Sequence, residues 1–179
     1  MNITVYLGSS DGARTVYRRA AEDFGAWIGR SGHTLIYGGS RVGLMGVLAD
    51  AVLVHNGKVI GVEPRFFVEE EVQHSGITEL IVTESMAERK QKMMEMGDAF
   101  IAFPGGIGTL EEISEVMTLA KLGRLDGRFC FLNLEGYYEP FRRFLLHMTR
   151  EGFLEREWAE QICFADTIEE TASYLEKGR

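Results

Sequence analysis

An apolar run at residues 99–103 gives way to Pro104-Gly105-Gly106-Ile107-Gly108-Thr109-Leu110-Glu111-Glu112. Glycines between a strand and a helix let the backbone approach an anion. The first amides of the helix are unpaired donors at the positive end of its dipole. The stretch reads as a phosphate cradle without a lysine. It lacks the Gly-Lys-Ser/Thr ending of a Walker loop and the Gly-x-Gly-x-x-Gly dinucleotide pattern. Thr109 and Glu112 also have the spacing of a capping box, in which they would only satisfy orphan amides. The competing reading places the Glu112 carboxylate beside the bound anion, where it suits chemistry on the sugar next to a phosphate.

The second chemical element is Met86-Ala87-Glu88-Arg89-Lys90. Arg89 shares a helical face with Met86 and Met93. It either snorkels to solvent or aims its fork into a crevice, to bind phosphate or order a carboxylate. Two further glycine turns are Gly8-Ser9-Ser10-Asp11-Gly12 and Gly38-Gly39-Ser40-Arg41-Val42-Gly43. Glu69-Glu70-Glu71 reads as an ordinary acidic helix start. His33, His55, His74 and His147 lack metal spacing, so no metal site is expected. A Gly-x-Ser-x-Gly nucleophile elbow is missing.

These residues need elements to hold them. Apolar runs predict strands at 3–7, 34–37, 58–62, 80–82, 99–103 and 128–134, with a short seventh strand ending near Phe164. Helical spacing predicts helices at 16–28, 44–54, 85–96, 109–122, 138–150, 155–161 and 168–177. Strands that alternate with helices and are apolar throughout imply βαβ crossovers. The expectation is one α/β domain over residues 1–179, Rossmann-like and doubly wound, with a mostly parallel sheet and helices on both faces. The glycine turns follow strands, on the edge where such sheets hold ligands.

The 179 residues carry 19 basic and 27 acidic side chains, a net charge of -8. Nucleic-acid and membrane-surface partners both need a large positive field, so neither is expected. An anionic ligand must be held by a local site. Glycine is abundant (21) and proline scarce (3), and the excess glycine sits in the turns just described. Cys130 and Cys163 stand in apolar contexts without Cys-x-x-Cys spacing, as buried thiols of a reducing compartment would. The first residues show no basic segment followed by an apolar run, and no stretch has the ~18 apolar residues of a membrane span. A cytoplasmic location is expected.

Taken together, the motifs resemble the LONELY GUY family, the cytokinin-activating phosphoribohydrolases that are often mislabelled as lysine decarboxylases. The family signatures Pro-Gly-Gly-x-Gly-Thr-x-x-Glu and Met-x-x-Arg-Lys stand intact at Pro104 to Glu112 and Met86 to Lys90. Gly8-Ser9-Ser10, the Gly38-to-Gly46 turn and Asn133 to Tyr138 match further family turns. The resemblance implies a Rossmann-like homodimer with its active site near the interface. It also implies hydrolysis of the N-glycosidic bond of an adenosine 5′-monophosphate type substrate, to free base and ribose 5-phosphate, without a cofactor. Arg89 and Glu112 become the catalytic pair. Glu71, Lys90, Gly105, Gly106, Ile107, Gly108, Thr109, Leu110, Glu111 and Thr118 line the substrate, with Gly8, Ser9, Gly38 and Gly39 from the other turns. Ser40 replaces a family glycine. Leu119, Lys121 and Leu125 replace a Trp, a Gln and a His, with weaker base discrimination or a repacked interface as the expected result. Two rivals remain: a non-catalytic carrier of a nucleotide or pterin cofactor, and a pyridoxal-phosphate decarboxylase built on Lys90.

Overall fold

The computed structural model describes residues 1–70 and 72–177. Seven strands form one sheet: β1 (Asn2–Tyr6), β2 (Thr34–Tyr37), β3 (Lys58–Pro64), β4 (Glu79–Thr83), β5 (Ala99–Ala102), β6 (Arg128–Leu132) and β7 (Cys163–Ala165). Their order is β4-β3-β2-β1-β5-β6-β7, and each adjoining pair is parallel. The helices are α1 (Thr15–Arg30), α2 (Gly43–Val54), α3 (Arg65–Glu69), α4 (Met86–Met96), α5 (Ile107–Lys121), α6 (Glu139–Arg150), α7 (Arg156–Gln161) and α8 (Ile168–Glu176).

Successive strand residues face opposite sides of the sheet, and the two cores follow that alternation. Ile3, Val5, Leu35, Tyr37, Ile101, Phe103, Cys130 and Leu132 pack with Phe24, Ile28, Leu48, Val52 and Leu175 of α1, α2 and α8. Tyr6, Ile36, Val62, Phe100, Ala102 and Phe131 pack with Met93, Ile113, Val116, Met117 and Leu145 of α4, α5 and α6. This is the expected doubly wound α/β architecture. Burial on both faces is why the central strands read as unbroken apolar runs.

The chain enters at the centre of the sheet, builds outward to β4, then returns beside β1 to build β5, β6 and β7. The loops after β1 and β5 therefore leave the sheet side by side and diverge, which opens a crevice at the carboxyl ends of the strands. The two loops touch there: the Gly8 amide donates to the Pro104 carbonyl at 3.3 Å.

Besides shifts of a residue or two at other ends, three boundaries near the crevice differ from expectation. β3 runs on to Pro64, and α3 follows, so Glu69 and Glu70 close a short helix instead of opening one. A five-residue helix is too short to display a period. α5 starts at Ile107, with Gly106 as its N-cap. β6 stops at Leu132, and a 3₁₀ turn at Leu134–Gly136 follows, with Glu135 at φ 47°.

α1 and α2 pack with backbone against backbone at Gly25. A Cβ there would lie 2.6 Å from the Ala51 Cβ and 2.7 Å from the Leu48 carbonyl oxygen. Gly25→Ala should lower stability by about 1–3 kcal/mol in urea unfolding, although alanine is the better helix former by ~1 kcal/mol. A stabilised variant would show that the two helices separate without cost.

Candidate active site

Arg89 lies in the first turn of α4, whose N-cap Ser85 accepts from the Glu88 amide at 3.2 Å. Its side chain turns inward and is buried. Nε donates to the Val62 carbonyl at 3.0 Å, and Nη1 donates to Glu112 Oε1 at 2.5 Å. The guanidinium passes close over the end of β2, where a Cβ on Gly38 would lie 2.5 Å from Nη2. Only glycine leaves that space. The snorkelling reading of Arg89 is set aside.

The capping-box reading of Thr109 and Glu112 is set aside as well. Gly106 is the N-cap of α5 and receives no side-chain hydrogen bond, Thr109 lies inside the first turn, and Glu112 bonds to Arg89. Burial pushes the Glu112 carboxyl up, and the Arg89 charge and hydrogen bond oppose it. Burial, with Glu112 nearby, also pushes the Tyr6 hydroxyl up.

The first backbone bond within α5 runs from the Leu110 amide to the Gly106 carbonyl. The amides of residues 107–109 precede it and are the open donors of the helix start. Around Gly106 and Gly108 a Cβ would meet no atom within 4 Å, so this backbone faces open space. A cavity of about 330 Å³ lies against it, lined by Gly8, Ser9, Arg89, Thr109, Glu111 and Glu112, among others. A second cavity of about 260 Å³ shares Ser9, Met45, Phe67 and Arg89 with the first, and adds Gly38, Ser40, Val42, Glu63, Glu70 and Val72. Arg89 thus joins two compartments of one crevice. A larger depression of about 830 Å³ between α1 and α8 has none of the glycine turns, Arg89 or Glu112 on its walls.

The other expected residues distribute unevenly. Gly39, at φ +89°, lies against Glu63. Gly105 packs on Thr109, and its carbonyl accepts from the Tyr137 hydroxyl at 2.5 Å. Leu110 is half-buried outside both cavity linings. Lys90 is tied to Glu111 and to Glu115. Thr118 lies on the walls of a different cavity, with Lys121 and Leu122. Leu119 and Leu125 pack against the core on the α4–α5 side, and Lys121 pairs with Glu155 at 2.6 Å. None of these three faces the crevice. Glu71 lies outside the described residues.

Sequence reasoning passed over three residues. Tyr137 and Tyr138 reach carbonyls on either side of Pro104, those of Gly105 and Phe103. Glu63 is 1% exposed and its Oε2 has no hydrogen-bond partner among the described residues. Its only sequence signal is a carboxylate at the end of an otherwise apolar strand.

The crevice at the switch point of this α/β sheet thus sets the open amides of a helix start beside a buried arginine–carboxylate pair. A family model described as possible lysine decarboxylase matches residues 45–175. A cytokinin riboside 5′-monophosphate phosphoribohydrolase of Rhodococcoides fascians is 43% identical over 169 residues, covering 94% of this chain and 85% of the relative. One from Oryza sativa subsp. japonica is 39% identical, over 98% of this chain and 72% of the relative. The chain belongs to this family, the LONELY GUY family. Among solved structures, a molybdenum cofactor binding protein from Rippkaea orientalis matches with a TM-score of 0.75 at 20% identity, covering 98% of this chain and 95% of that one. A molybdenum cofactor carrier protein from Chlamydomonas reinhardtii matches at 0.71 and 17%, over 98% and 95%. At such identities the likeness is one of fold.

Arg89→Leu leaves the Glu112 carboxylate buried and unpaired. It should cost about 3–5 kcal/mol at mildly alkaline pH. With its opposing cation gone, Glu112 titrates still higher in the folded state than in the unfolded one. The lost stability is therefore partly recovered as pH falls and the carboxyl is protonated, and grows as pH rises through the folded value. Urea unfolding across pH measures this, and a cost independent of pH would contradict it.

Proposed function

We propose that the chain hydrolyses the N-glycosidic bond of an adenosine 5′-monophosphate, plain or N6-substituted, to free base and ribose 5-phosphate. The observation that carries this reading is the buried Arg89–Glu112 pair bordering the same cavity as the open amides of α5. The amides of residues 107–109 hold the 5′-phosphate. The sugar then lies over Glu112, and Arg89 fixes that carboxylate in place. Cleavage breaks the C1′–N9 bond, the electron pair leaves with the purine, and the ribose gains oxocarbenium character. The Glu112 carboxylate stabilises that charge and orients water for attack at C1′. It takes the water's proton, the departing purine takes up one from solvent, and Glu112 then releases its own to solvent. Binding energy from the phosphate is used at the sugar.

The carrier reading draws support only from fold likeness. The decarboxylase description fits poorly, because a Schiff-base lysine needs an unprotonated amine. The hydrogen bonds that Lys90 donates to Glu111 and Glu115 push its amine up instead. We place the protein in the cytoplasm as one domain. The free thiols of Cys130 and Cys163, 2.9 Å apart, suit a reducing compartment. Among the described residues no helix is long and apolar enough to cross a membrane. We also read it as a homodimer. The apolar cavity of about 390 Å³ between α5, α6 and α7, with Met117, Leu122 and Trp158 on its walls, is a face that a second copy would cover.

Incubation with nucleoside 5′-monophosphates should release ribose 5-phosphate from AMP. Adenosine, which cannot use the cradle, should be far poorer in kcat/KM, and equal rates on both would remove the cradle. Glu112→Gln keeps the size of the side chain but not its charge. Its kcat should fall by ~10²–10⁴ with little change in KM. Near-normal turnover would leave Glu112 a structural residue.

A further inference from the structure

The second compartment of the crevice has a composition that hydrolysis does not explain. Val42, Met45, Phe67 and Val72 give it apolar walls, and the carboxyl of Glu63 borders it. Among the described residues Glu63 makes no hydrogen bond through Oε2, although that atom is shut off from bulk solvent. Arg89 lies close enough to act on it electrostatically, but its hydrogen bonds among the described residues go to Val62 and Glu112 and none reaches Oε2 of Glu63. A buried carboxyl with a free oxygen is expensive unless a ligand completes it.

Its position suits one part of a nucleotide. Glu63 is on β3 and the phosphate cradle follows β5, with β2 and β1 between. Three strand spacings are roughly 14 Å, about the span of an extended nucleoside monophosphate. With the phosphate at α5 and the sugar at Glu112, the base falls in the compartment of Glu63. Apolar walls with a few placed polar groups are what a purine needs.

We propose that Glu63 reads the Watson–Crick edge of the base and selects adenine as a neutral carboxylic acid, donating to N1 and accepting from the exocyclic N6–H. This inference rests on the phosphoribohydrolase reading and names the residue that sets its base choice. An N6-substituted adenine keeps one N–H and fits the same pairing. Guanine presents two donors, N1–H and the 2-amino group, and pairs with the ionised carboxylate instead.

The state of Glu63 agrees with the adenine pairing. Burial pushes its carboxyl up to about 7, with Arg89 opposing. The titratable or charged groups facing it are Arg89 on α4, Glu70 at the end of α3 and Tyr37 on β2. α2 presents Met45. Below about pH 7 the acid form prevails and favours adenine. Above it the carboxylate prevails and favours guanine.

The test is the ratio of kcat/KM for AMP to that for GMP, followed across pH. Titration of Glu112 affects both substrates and cancels in the ratio. In the wild type the ratio should fall at least about tenfold from about pH 6 to about pH 8.5, as expected for one titrating group near neutrality. Glu63→Gln carries a neutral donor and acceptor at every pH, so its ratio should stay flat. Glu63→Ala should bring the ratio towards one. A wild-type ratio that ignores pH, or one that both variants reproduce, overturns the proposal and would place Glu63 against the sugar or leave it structural. The same ratio read as calorimetric Kd values for AMP and GMP tests Glu63 without turnover. Absence of hydrolysis with a pH-dependent Kd ratio would sink the hydrolase reading and leave the base-reading role standing.

Discussion

The buried guanidinium of Arg89 sets conditions on four separate pieces of chain. β2 must be followed directly by a residue without a side chain, because the guanidinium lies where a Gly38 Cβ would be. β2 also stops opposite Gly61, which leaves Val62 beyond the ladder on that side, with its carbonyl bonded to Arg89 Nε. α4 must start at Ser85 so that its first turn points the arginine at the crevice. α5 must turn a carboxylate inward within its second turn, at Glu112. A buried ion pair stabilises a fold no better than apolar side chains of the same size would, while either partner alone is costly. The arrangement therefore makes little sense as packing, and good sense as a way to hold one carboxylate still.

The anion cradle depends on residues far from it in sequence. Pro104 is flanked by two carbonyls, and each accepts from a tyrosine of the turn after β6. Tyr138 bonds to Phe103 at 2.7 Å and Tyr137 to Gly105 at 2.5 Å. Asn133 anchors that turn. Its side-chain oxygen accepts from the Tyr138 amide at 2.7 Å, and its side-chain nitrogen donates to Asp166 at 2.8 Å. Its backbone amide donates to Ala165 in β7 at 2.7 Å. An edge strand is thus joined by two short steps to the loop that would hold the phosphate. A glycine-rich loop needs this bracing, because glycine leaves its backbone free to take other conformations.

The sheet and its helices were legible because apolar runs alternate with 3.6-residue patterns along the chain, and each cue is local. The cradle was legible for the same reason: strand, glycines and helix start lie within nine residues. Glu112 was ambiguous, since Thr-x-x-Glu means a cap or a site depending on what lies across the crevice, and only Arg89, 23 residues away, decides it. Glu63 was invisible: the strand was expected to end at Val62, and an acidic residue next to Pro64 resembles an ordinary turn. Leu119, Lys121 and Leu125 attracted attention as departures from the family pattern. Their helix faces point to the core and to Glu155 instead. A departure from a motif marks a difference without saying which side of a helix it falls on.

The charges around the crevice are mismatched to a nucleotide and matched to the proposed reaction. Among the described residues lining its two compartments, Arg89 is the only cation, against Glu63, Glu70, Glu111 and Glu112. Such a surface should repel a phosphate ester. Two features reduce the conflict. The proposed cradle would bind through amide dipoles at the helix start, which favour an anion locally without needing a lysine. Burial also pushes the Glu63 carboxyl up to about 7, which lessens the negative charge the substrate meets. What remains of that charge lies beside the sugar, where an oxocarbenium-like transition state is positive and the ground state is not. A carboxylate that contributes little to binding AMP and much to stabilising its cleavage is the differential binding that accelerates a reaction. A lysine in place of the amide cradle would bind the phosphate more tightly in both states, and would add nothing to that difference.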